Sequence, residues 1–124
     1  MNDDEIRTID QSLLAQKLRE FAEKRDWEQF HSPKNLSMAL SVEVAELVEH
    51  FQWLTEMQST AMKPEELAEV AEEIADIQIY LVQLADQLGV DIADAVERKL
   101  ESNAKKYPIS KAHGSALKST KFDK

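Results

Sequence analysis

The sequence has no cysteine, only two glycines and only three prolines in 124 residues. Without cysteine there is no disulfide, no thiolate zinc site and no cysteine nucleophile, and the chain fits a reducing compartment. So few turn-formers leave little room for a many-stranded β fold, which needs turn signals every ten positions or so. Long apolar runs are missing too: nothing approaches the roughly 18 apolar residues that signal a membrane-spanning helix. The acidic opening MNDDEIRTID lacks the apolar core of a signal peptide. The expectation is a cytoplasmic protein without membrane contact. Basic residues are also scarce, 15 against 24 acids for a net charge of -9. Between Glu43 and Glu97 the only Lys or Arg is Lys63. Nucleic-acid backbones are bound by clustered Lys and Arg, so no nucleic-acid partner is expected.

What the chain does have is helical periodicity. Asp10 is a good N-cap before Leu13, Leu14, Leu18, Phe21 and Ala22, which predicts an amphipathic helix from about Asp10 to Arg25. Pro33 suits the first turn of a second helix, in which Leu40, Val44, Leu47, Phe51 and Leu54 recur by steps of four and three. Residues 56–63 read as a loop. Pro64 opens a third helix, with Glu65 and Glu66 near its positive end. Its seam is Leu67, Val70, Ile74, Ile77, Leu81, Leu84 and Leu88, and Gly89 ends it. Asp91 caps a fourth helix through Ile92, Val96 and Leu100, which stops before Pro108. Four helices with short links predict an all-α four-helix bundle subunit. Residues 1–107 form the domain and 108–124 a polar tail. A single helical hairpin leaves apolar surface on the first and last helices, so an oligomer is expected.

One residue before each seam position lies a second stripe. On the second helix it holds Glu43, Glu46, His50 and Trp53; on the third, Glu66, Glu69, Glu73, Asp76, Tyr80 and Gln83. Each stripe is turned about 100° from the seam and so runs along the edge of the core, where a carboxylate needs a partner. In an antiparallel hairpin, residues equally far from the loop centre near 59–60 lie side by side. That sets Glu43 opposite Asp76 and Glu46 opposite Glu73. Solvated surface acids would bring Lys or Arg partners on the same face, and there are none. Four close carboxylates call for protons or cations. Mg²⁺, with Mn²⁺ as the alternative, takes such oxygen ligands together with waters and phosphates. Di-iron bundles use Glu-x-x-His on two helices, which neither helix offers. A non-catalytic helical module whose acidic groove binds a basic partner stays open as a reading.

Three segments resemble a known family. Glu43-Val-Ala-Glu46 with Glu73-Ile-Ala-Asp76 resembles the E-x-x-E…E-x-x-D signature of MazG-like all-α nucleotide pyrophosphohydrolases. The stretch from Arg25 to Leu36 and Phe51-Gln52-Trp53 are similar to the dCTP pyrophosphatase branch. Lys99, Asn103, Lys106, Tyr107 and Pro108 resemble its K-x-x-x-N-x-x-[KR]-Y-P. The resemblance runs from about Leu14 to Pro108. It implies a Mg²⁺-dependent enzyme that cleaves a nucleoside triphosphate, dCTP or a 5-substituted dCTP foremost, to the monophosphate and pyrophosphate in nucleotide-pool cleaning. It also implies a homotetramer built as a dimer of dimers, with Glu43, Glu46, Glu73 and Asp76 as metal ligands. Lys99, Asn103 and Lys106 share one helix face and, with Tyr107, are expected at the phosphates and sugar. Trp27, His31 and Trp53 can wall a base pocket, since aromatic stacking contributes about 1–3 kcal/mol per base, and Tyr80 can touch the sugar. Where animal members of the branch carry a His near the base, this chain has Leu18. Alternative substrates such as dUTP or dATP therefore stay open.

Overall fold

The computed structural model describes residues 10–122. The signal-peptide reading of the opening falls on residues 1–9 and, like Asp123 and Lys124 of the tail, lies outside them. Among the described residues there are six helices and no strand: α1 (Gln11–Lys24), α2 (Pro33–Glu49), α3 (Glu56–Ser59), α4 (Pro64–Leu88), α5 (Ile92–Lys106) and α6 (Ile109–Ala112). Short 3₁₀ turns cover Glu28–Phe30 and Ser119–Lys121. All four long helices stand where the apolar spacing puts them, except that α2 ends at Glu49, so Phe51, Trp53 and Leu54 lie in the turn that follows it.

Their ends follow from side-chain chemistry. The Asp10 carboxylate accepts the Leu13 N–H at 3.0 Å, Ser32 Oγ the Asn35 N–H at 3.1 Å and Asp91 the Asp94 N–H at 3.1 Å, each satisfying a donor the helix leaves open. Gly89 closes α4 in the left-handed region at φ 67°, a conformation glycine adopts without penalty. α1 closes the same way on a residue that does have a Cβ: Asp26 sits at φ 54°. Its N–H donates to Glu23 O and that of Trp27 to Ala22 O, at 3.1 and 2.9 Å.

Two expectations change. Residues 56–59 are helical rather than loop, because Thr55 and Gln58 cap each other. Gln58 N–H donates to Thr55 Oγ1 at 3.1 Å and Thr55 N–H to Gln58 Oε1 at 2.9 Å, a reciprocal capping box. The polar tail also has structure: besides α6, the Phe122 ring meets Tyr107 edge-on at 5.7 Å.

The chain divides into two compact units, 1–90 and 91–124. In the first, α2 and α1 both pack on α4. α2 and α4 run antiparallel: Glu43 meets Glu73 and Asp76, while His50 reaches back to Glu69. Leu36 and Val82 are the large side chains fully removed from water, each a gain of about 1.5–3 kcal/mol over exposure. Ala15 and Ala22 of α1 and Ala85 of α4 are also buried. Their small side chains let the two helices approach closely. The second unit holds α5, α6 and the final turn.

Candidate active site

The α2–α4 pair brings the acids together. One oxygen each from Glu43, Glu73 and Asp76 lies within 4.8 Å of the others. Glu43 and Glu73 are half-buried, and Oε2 of each is shut off from water with no hydrogen-bond donor. A buried acceptor without a donor is costly, and two such oxygens facing a third carboxylate compound the cost. The pressure shows in Glu43, whose carboxyl is pushed from 4.5 up to about 7. Burial raises it first, then proton sharing with Glu73 and the negative charge and hydrogen-bonding reach of Glu46, then repulsion from Asp76. Glu46 thus stands beside the group through Glu43 rather than within the tight set of three. One turn further on, His50 Nδ1 lies 3.9 Å from Glu69 Oε2. Oxygen-only donors with two unsatisfied buried lone-pair sites fit a hard divalent cation. Glu43, Glu73 and Asp76 could hold it directly, with Glu46 alongside.

Asp76 has a second role, because it also lines a cavity of about 320 Å³. The cavity continues along α4 past Ile79 and Tyr80 to Gln83. Leu18 and Phe21 of α1, with Trp27 and His31 from the following link, form its other wall. Phe21 and Trp27 meet edge to face at 5.8 Å, and the Arg25 guanidinium lies 3.5 Å over the Phe21 ring. The left-handed turn at Asp26 and the Trp27 N–H bond to Ala22 fix where the indole starts. Non-glycine residues in this region are uncommon and collect at functional sites. A neighbouring cavity of about 360 Å³ shares Leu18, His31 and Gln83 and adds Arg19, Asp86 and Gln87. Arg19 Nε pairs with Asp86 Oδ2 at 3.3 Å.

Of the residues expected at the substrate, Trp27, His31 and Tyr80 therefore share one cleft that opens on the acids. Trp53 does not line either cavity and is 88% exposed in the turn after α2. Lys99, Asn103 and Lys106 lie along α5 in the second unit, where Tyr107 ends the helix by donating its N–H to Asn103 O at 2.8 Å. Sequence reasoning gave no role to Phe21, Ile79 or Gln83. Gln83 had a signal, since it continues the Asp76–Tyr80 stripe; Phe21 read as part of the apolar face of the first helix, and Ile79 fell outside both the seam and the stripe.

The profile of the MazG-like family matches residues 38–122, a span that contains both acid pairs. The chain belongs to the MazG-like family. Its relatives in that family include the mouse protein dCTP pyrophosphatase 1, 50% identical over 103 residues, 82% of this chain and 61% of that protein. The human protein of the same name is 46% identical over 105 residues, 83% of this chain and 62% of that one. The MazG-like chain thus spans about three fifths of the length of these relatives. Among solved structures, a pyrophosphatase from Archaeoglobus fulgidus is 41% identical with a TM-score of 0.76, covering 84% of this chain and 97% of that one.

Proposed function

We propose that the chain is a Mg²⁺-dependent nucleoside triphosphate pyrophosphohydrolase, with dCTP or a 5-substituted dCTP as its first substrate. The monophosphate and pyrophosphate are its products. The observation that carries this reading is Asp76, which belongs at once to the acidic group and to the aromatic cleft. A ligand lying there has a charged end at the carboxylates, a middle along Tyr80 and a flat apolar end against Trp27, as a nucleotide does. The names of the mouse and human relatives support the reaction and the nucleotide.

Glu43, Glu46, Glu73 and Asp76 hold the metal in this reading, Mg²⁺ first and Mn²⁺ as a substitute. When bound, the ion offsets the phosphate charge and makes water more acidic. The protein's own residues do the rest. A carboxylate of the group accepts the proton of a water that attacks Pα in line. The electron pair of the Pα–O bond leaves with pyrophosphate. Trp27, Trp53 and His31 bind the base and Tyr80 the sugar. Lys99, Asn103, Lys106 and Tyr107 meet the phosphates, residues 1–107 act as the catalytic domain, and the tail is accessory.

The working assembly is a homotetramer, a dimer of dimers, in the cytoplasm, where it removes unwanted nucleotides. The many exposed apolar side chains support an assembly. A broader substrate range has support of its own: Leu18 lines the cleft and offers the base no hydrogen bond, so dUTP and dATP remain candidates. A panel of nucleotides at equal concentration, with products identified, ranks them. Glu46→Gln, folded as judged by circular dichroism, should lose about 100-fold or more in kcat; full activity in that variant would remove Glu46 from the site.

A further inference from the structure

The α4 stripe that carries Asp76 and Tyr80 ends at Gln83, and the proposed chemistry leaves Gln83 without a role. Gln83 is half-buried and lines both of the cavities described above. Two of the charged groups beside it, Arg19 and Asp86, are committed to each other at 3.3 Å. No hydrogen bond joins the Gln83 amide to any described residue, while Leu18, Phe21 and Ile79 surround the same cleft with apolar surface. An amide left free among apolar walls is poised for a polar ligand atom.

Its position says which atom. Asp76 and Gln83 are seven residues, about 10 Å, apart along the helix axis, with Tyr80 between them on the same face. A nucleotide with its phosphates at the acidic group lays its sugar along Tyr80 and carries its base onward to Gln83. We propose that Gln83 reads the hydrogen-bonding edge of the nucleobase, an inference that rests on the nucleotide reading above. A glutamine amide offers two donors and an acceptor. It matches bases with adjacent donor and acceptor groups, such as the amino group and ring nitrogen of cytosine or adenine. By turning over it also serves the keto group and N–H of uracil. Gln83 therefore favours a polar edge while tolerating several bases, in keeping with a cleft whose other wall, Leu18, is apolar.

A carboxylate in its place only accepts, so Gln83→Glu loses the donor that meets the ring nitrogen of cytosine or the keto oxygen of uracil. Expected is a fall of about tenfold in kcat/KM on both dCTP and dUTP, mainly through KM. Gln83→Met keeps the side-chain length without the hydrogen bonds. It should lower kcat/KM on both nucleotides about tenfold, mainly through KM, and it decides the matter if Gln83→Glu fails to fold. Values of kcat/KM within twofold of the parent on both nucleotides in the folded variants would overturn the assignment. If the parent hydrolyses neither nucleotide, the reaction reading fails by itself. Calorimetric titration of the metal-free protein with dCMP and dUMP then decides Gln83. About tenfold weaker binding of both in Gln83→Met supports it; unchanged binding, or no binding by the parent, overturns it.

Discussion

At the residue scale, charge crowding is the dominant effect. Glu43 was legible in the sequence because four acids at helical spacing came without a basic partner. Which of its oxygens would be cut off from water depends on packing between helices, and spacing alone does not carry that. The crowding has a measurable consequence. The Glu43 carboxyl titrates at about 7 in the folded chain against 4.5 ordinarily, so the folded state holds this proton more tightly than the unfolded one. Its contribution to stability is full below 4.5 and is lost as the pH rises through about 7. The melting temperature of the metal-free protein should therefore fall across that window, and Glu43→Gln, which keeps a neutral side chain, should flatten the fall. Added Mg²⁺ should stabilise most at the upper end of the window, where the carboxylates are ionised. Parallel pH profiles for parent and Glu43→Gln would contradict this. Gln83 and Phe21 were harder to read, because the cleft they line depends on α1 lying over α4, a contact that one helix's periodicity does not specify.

At the element scale the helices follow their local signals, with N-caps at Asp10, Ser32 and Asp91 and a left-handed stop at Gly89. Nothing crowds a Cβ at Gly89, yet its φ of 67° is costly for any L side chain. Gly89→Ala should cost about 1 kcal/mol, read as a lower urea midpoint with an unchanged m-value; an unchanged midpoint would mean that the α4 stop is not held there. α3 escaped the apolar-spacing reading because its signal is not apolar: Thr55 and Gln58 define it by capping. The α4 seam shows the limit of periodicity most clearly. Leu67, Ile74, Leu81 and Leu88 step with Val70, Ile77 and Leu84 as one stripe. In the structure Val70 is buried and Ile77 and Leu84 half-buried, whereas the other four are 39–57% exposed. The pattern marks both sets as apolar and cannot say which of them this chain covers by itself.

At the scale of the whole molecule, that uncovered half is apolar surface that the proposed assembly would cover. Val44, Val48, Val96 and Leu100 are exposed as well. Sedimentation equilibrium should give a mass several times 14.2 kDa. Leu81→Glu, which places a charge on the uncovered half of the α4 seam, should shift the species toward the monomer. A parent that stays monomeric at micromolar concentration would contradict the proposed tetramer. Family and acid pairs were legible in the chain's own order because they are local motifs, whereas assembly is a property of surfaces that no motif names. The reaction itself is tested most directly by ³¹P NMR of dCTP with the purified protein and Mg²⁺ in ¹⁸O-enriched water. The expected products are dCMP and pyrophosphate, with the ¹⁸O on the phosphate of dCMP, the mark of water attacking Pα. Formation of dCDP and orthophosphate, label in the pyrophosphate, or no turnover of any nucleotide in the panel would contradict it.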